Sequence, residues 1–228
     1  MLTYCWKNFG FIAKIVFVVL LAFSITSQAV EKKSESAKHS NRIAVISFQA
    51  ITPEAGTGNA VRCPICGIVS SSGKILEGSE KIVEEVFINK LNKLDGMELI
   101  PFAKVQSVYK RISSEKQKGT FQETLKKAGN ELGADYLAVG FVYRYVERVG
   151  YKYSSERPAS VVFEIHLLKT ADGSIIWRGF FDKTQKSLME NVLDISSFLR
   201  GGAKWVTARE LTEQGMDNVF ETFPDFQD

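Results

Sequence analysis

Three short apolar runs limit what this chain can fold into. They are Arg42–Phe48 (RIAVISF), Tyr136–Tyr143 (YLAVGFVY) and Val161–Leu168 (VVFEIHLL). Each is too short for a buried helix, is rich in β-branched or aromatic residues, and reads as a strand. Met97 to Ile100 adds a short strand ended by Pro101, and Ile175 to Phe181 adds another. Between them lie helical patterns. Ile82, Val83, Val86, Phe87, Leu91 and Leu94 keep helical spacing after a Ser79 cap, and Asp95-Gly96 is the expected stop. A second helix holds Val105, Val108, Tyr109 and Ile112 on one face. Thr120-Phe-Gln-Glu123 is a capping box that opens a third helix ending at Gly133. The turn Asp172-Gly173 joins the last two strands as a hairpin. Ser187-Leu-Met-Glu190 and Thr207-Ala-Arg-Glu210, separated by Gly201-Gly202, open two further helices. The order β-α-β-α-α-β-β-β-α-α predicts an α/β (α+β) fold. Its mixed five-stranded sheet has three parallel strands and antiparallel hairpin strands, is flanked by helices and carries a helical C-terminal tail.

The amino terminus is of another kind. Lys7 and Lys14 precede the apolar run Ile15–Ile25, and small Ser27 and Ala29 follow it. This is the pattern of a secretory signal peptide over 1–29, with residues 30–41 a polar tether, 42–185 an α/β domain and 186–228 a helical extension packing on it. The expected location is the periplasm or the outer-membrane side of an envelope. Residues 9–29 left uncleaved would instead give an inner-membrane anchor, with Lys14 inside the span. The 228-residue chain carries a formal charge of +3, but residues 1–29 hold two lysines and no acids. The remainder is nearly neutral, which points away from nucleic acid and anionic membrane surfaces.

Cys63-Pro64-Ile65-Cys66-Gly67, inside the Gly/Ser/Pro-rich stretch 49–77, is the sharpest local motif. Zinc would need two more ligands, and the two histidines outside the signal, His39 and His166, lie far from finger spacing, so no metal is expected. Haem attachment needs His where Gly67 stands. Thiol–disulfide exchange places its first Cys at a helix amino terminus, whereas Gly67–Gly73 continues as loop or strand. The expectation is therefore a local Cys63–Cys66 disulfide, with exchange chemistry as the enzymatic alternative. A phosphate-binding reading fails too: five residues separate Gly67 from Gly73-Lys74 where the motif needs four, and Ile75 replaces the Ser/Thr. With no nucleophile, base pair or carboxylate dyad, no enzyme and no cofactor are expected. Tyr145, Tyr151, Tyr153 and Arg157 place aromatic and basic groups at the tip of the 144–159 hairpin, as a candidate interaction surface.

Arg42–Phe48, Leu132-Gly-Ala-Asp-Tyr-Leu-Ala-Val-Gly140 and Thr170-Ala-Asp-Gly-Ser-Ile-Ile-Trp177 together resemble an envelope α/β superfamily. That superfamily includes the curli secretion channel lipoprotein, the penicillin-binding-protein activator lipoprotein and the TolB amino-terminal domain. The resemblance spans about residues 42–182. It implies a mixed sheet flanked by helices, no catalytic residues and function through protein contact, with rings in some members. No Cys follows the apolar run to carry a lipid, and neither 49–77 nor 144–159 alternates as a membrane-crossing hairpin would. The expected function is a non-catalytic binding, adaptor or assembly module with an envelope protein as partner. The alternatives are the thiol–disulfide protein and a self-assembling ring.

Overall fold

The computed structural model describes residues 41–54, 56, 58–114, 120–151, 154–185 and 205–226. The chain divides into two units, Met1–Lys38 and His39–Asp228, and the first lies outside the described residues. So do the expected signal and most of the tether, the Ser187 capping box, Gly201-Gly202 and Tyr153. Among the described residues no helix is long and apolar enough to cross a membrane.

The elements are β1 (Asn41–Val45), β2 (Gln49–Ala50), β3 (Ala60–Arg62), β4 (Val69–Ser71), α1 (Ser79–Leu91), β5 (Met97–Leu99), α2 (Phe102–Ser114), α3 (Phe121–Leu132), β6 (Tyr136–Val146), β7 (Val149–Tyr151), β8 (Ser154–Arg157), β9 (Ser160–Lys169), β10 (Ile175–Thr184) and α4 (Ala208–Phe220). The main sheet runs β10-β9-β6-β1-β5, with β2 also pairing β6. β1 is parallel to β5 and β6, while β6–β9 and β9–β10 are antiparallel. This is the mixed sheet expected from the order of elements, with β2 as an added short strand.

Period-two alternation divides the sheet into two cores. Ile43, Val45, Ala138, Val142, Phe163, Ile165 and Leu167 face α1 and α4, where Val83, Phe87, Leu91, Leu211 and Met216 complete one cluster. Ala44, Ile46, Leu137, Val139, Phe141, Val162 and Leu168 face the other way, against Val105 of α2, Leu125 of α3 and the segment Val61–Ile65. α4 is held on the first face by Trp177 of β10, whose ring meets Phe220 and Phe223 and whose Nε1 donates to Thr222 Oγ1 at 3.1 Å.

The described capping boxes and Gly133 act where the sequence places them, but α1 ends earlier than expected, at Leu91 with Asn92 as its C-cap rather than at Asp95-Gly96. Thr120 and Thr207 each accept from the backbone N–H three residues on, and Glu123 and Glu210 each accept from the cap's own N–H. Gly133 ends α3 in the left-handed region. Ser79, however, is the first residue of α1 rather than its cap. Left-handed Gly78 holds the cap position, and the Ser79 hydroxyl is buried without a partner.

Candidate functional site

Residues 49–77 are more ordered than their composition suggests, because both ends lie along one edge of β6. Gln49 and Ala50 pair with Phe141 and Val142, and Ile51 N–H donates to Val142 O. Further along the same edge, Gly73 N–H donates to Tyr143 O and Leu76 N–H to Tyr145 O, while Tyr145 N–H donates to Lys74 O. The chain between these anchors leaves the sheet edge and returns as the hairpin β3–β4, paired Ala60↔Ser71 to Arg62↔Val69. The hairpin's tip is Cys63–Ile68, which lies over the second core.

The tip is a tight knuckle. Gly67 takes φ of +72°, a conformation that favours Gly, and its N–H donates to Cys63 O at 3.0 Å. Arg62 Nη1 donates to Gly67 O at 2.7 Å and braces the turn from outside. Within it, Cys66 N–H points at Cys63 Sγ at 3.5 Å. Cys63 N–H donates to Ile68 O, closing the knuckle onto the hairpin.

Directly beneath lie Glu164 and His166. They are two apart on β9, so they project to the same face as Val162 and Leu168. Both are fully buried, and Cys63 is only 2% exposed, whereas Cys66 is half-buried. Cys63 Sγ lies 3.2 Å from His166 Nε2, and Cys66 Sγ lies 3.4 Å from Glu164 Oε1. His166 Nε2 is also 3.2 Å from Glu164 Oε1. Tyr143 of β6 donates to Glu164 Oε2 at 2.6 Å, and Arg178 of β10 donates through Nε to Oε1. His166 Nδ1 has no hydrogen-bond partner.

The electrostatics follow from these contacts. Burial opposes ionisation of Glu164, but hydrogen bonds from His166, Tyr143 and Arg178 outweigh it and hold the carboxyl down at about 2. Burial pushes the Cys63 thiol up to about 11, against backbone N–H groups of Cys66 and Ile65 that favour the thiolate. Burial, with Glu164 close by, also pushes the Tyr143 phenol up, so it remains a donor. A buried thiol pushed upward is the reverse of what thiol–disulfide exchange needs.

Cys63 and Cys66 are free thiols in the structure, where the sequence predicts a disulfide. His166, set aside in the sequence because it lies far from finger spacing, is a buried strand residue that meets Cys63, and spacing reasoning missed this because 103 residues separate the two. A usable signal was present: Glu164 and His166 are two polar residues on one face of an otherwise apolar strand, and buried polar groups need partners. The expected hairpin-tip surface is divided. Tyr145 is a correction. β6 continues to Val146, so Tyr145 belongs to the strand, is 1% exposed and packs in the first core. Tyr151 is 83% exposed and Arg157 is exposed, both on the ribbon β7–β8.

No family model matches the chain, and no curated protein is similar to it. Solved structures of similar fold include the LpoB C-terminal domain from Salmonella enterica, at 13% identity and TM-score 0.40, covering 67% of this chain and 89% of that one. The lipoprotein GNA1162 from Neisseria meningitidis matches at 14% and 0.38, covering 72% and 98%. The PelC dodecamer from Paraburkholderia phytofirmans matches at 12% and 0.38, covering 81% and 86%.

Proposed function

We propose that this chain is an exported component of a cell envelope that works by binding another envelope protein, without turning over a substrate. The observation that carries this reading is where apolar surface remains uncovered. Val149 and Tyr151 are exposed on β7–β8, and Ile68, Val69 and Leu76 are exposed along the 49–77 segment, beside Phe102, Ile175 and Ile176 elsewhere. Tyr151 stands on a two-stranded ribbon that prolongs the β6–β9 hairpin, whose shaft is among the most deeply buried parts of the fold. An aromatic side chain left this open, with Arg157 on the paired strand, is characteristic of an interface anchor. The buried Cys63 thiol and Glu164 carboxylate support the non-catalytic half of the reading, since a substrate has no direct approach to Cys63, Glu164 or His166. The signal-like amino terminus supports export.

A photocrosslinking amino acid at Tyr151, activated in living cells, tests it. The expected result is one discrete adduct with an envelope protein, diminished by Arg157→Glu. An adduct only with further copies of this chain would replace the adaptor with the self-assembling ring. No adduct from either Tyr151 or Val69 would overturn the binding reading.

A further inference from the structure

We propose that Cys63, Cys66, His166 and Glu164 form a closed, four-coordinate site for a divalent thiophilic cation, zinc above all, which fastens the β3–β4 hairpin to the sheet. One ligand atom from each residue, with Sγ, Sγ, Nε2 and Oε1 available, lies within 4.8 Å of every other. A tetrahedron of zinc bonds of ~2.0–2.3 Å has edges of roughly 3.3–3.8 Å between ligand atoms. The observed edges of 3.2 Å (Cys63–His166), 3.4 Å (Cys66–Glu164) and 3.2 Å (His166–Glu164) are close to that size.

Three further features fit a cation. The first is the knuckle, where two cysteines three apart are turned to one side by left-handed Gly67, with a backbone N–H aimed at Cys63 Sγ. The second is His166, a fully buried imidazole whose Nε2 faces both sulfur and carboxylate oxygen, so that its ring nitrogen is turned into the cluster. The third is the support of Glu164 by Tyr143 and Arg178, which fixes a ligand carboxylate from outside the coordination sphere.

Charge selects the state of the site. Two thiolates and one carboxylate bring three negative charges, and a divalent cation with the Arg178 guanidinium brings three positive ones. With neutral His166 the loaded site is neutral, as a buried cluster must nearly be. Binding forms two metal–sulfur bonds, breaks two S–H bonds and releases two protons to solvent, with no change of oxidation state. The ligand set mixes thiolate and imidazole with a single oxygen, a combination that disfavours magnesium and calcium. All four positions come from protein, as in structural rather than catalytic zinc sites.

The test is metal content and cobalt(II) titration of the purified, reduced protein. One equivalent of zinc, and cobalt bands of tetrahedral thiolate coordination saturating at one equivalent, are expected. Cys66→Ser, at the half-buried corner, should abolish the sulfur-to-cobalt charge-transfer bands of that ligand and weaken binding beyond tenfold. If Cys66→Ser does not fold, Tyr143→Phe keeps all four ligands and should weaken cobalt binding by roughly 10–100-fold. Reduced protein that binds no cobalt at one equivalent would overturn the site. So would protein taken from the envelope metal-free and two hydrogens lighter, which is the Cys63–Cys66 disulfide. Neither result bears on whether Tyr151 crosslinks a partner.

Discussion

Gly140 offers a sharp test of how tightly the first core is packed against the sheet. It sits mid-β6, paired with Ile165, the residue between Glu164 and His166. A Cβ there would stand 2.4–2.6 Å from three ring atoms of Phe48, well inside contact distance. Phe48 has little room to retreat, since it is buried with its ring centroid 5.5 Å from that of Phe87. Gly140→Ala therefore overpacks the first core and should cost ~1–3 kcal/mol. Phe48→Leu withdraws the ring and should cost less than the ~3–5 kcal/mol of a full Phe→Ala truncation. In the double variant the new methyl occupies space the ring has left. The combined loss should then fall short of the sum of the single losses by ~1 kcal/mol or more. Urea melts followed by circular dichroism, with the slope checked for two-state behaviour, provide all four stabilities. Losses that add to within ~0.5 kcal/mol would show that Phe48 does not explain the glycine.

Two smaller predictions concern the helices. Thr207→Ala removes the side-chain acceptor of the α4 capping box and should cost ~0.5–2 kcal/mol in the same melts, whereas Thr207→Ser should cost little. Glu84 of α1 accepts from Phe48 N–H at 2.8 Å, and burial is the main cause of its raised pKa. A carboxyl raised in the folded state stabilises fully below its unfolded pKa of about 4.5, and that contribution is lost as pH rises through the folded value. Glu84→Gln keeps the acceptor without the charge, so its stability should fall less than the parent's between pH 4 and pH 7. Parallel pH profiles would refute the role of burial there.

Much of the frame was legible because it depends on neighbours in sequence. Thr120, Gly133, Thr207 and Asp172-Gly173 act through atoms a few residues away, and the apolar runs 42–48, 136–143 and 161–168 are buried together in one sheet. What stayed hidden depends on distant partners. Ser79 resembles a cap, but the chain enters α1 through left-handed Gly78 and buries the hydroxyl. Tyr145 looks like hairpin-tip chemistry, yet residues 73–76 prolong the sheet alongside it and take it into the core. His166 meets Cys63 only because β9 passes under an excursion that begins and ends on β6. A spacing rule written for a continuous finger does not register a site built from a knuckle and a remote strand.

The anchoring of that excursion bears on its length. Its entrance at Ile51 and its exit at Gly73 bond to successive carbonyls, Val142 O and Tyr143 O, of the same strand. The ends are therefore brought together by β6 whatever lies between them, and each doubling of the intervening length adds only ~0.6 kcal/mol of closure entropy. The length between those anchors can therefore change without disturbing strand register, which makes the insert the part of this chain whose length is least constrained by the sheet.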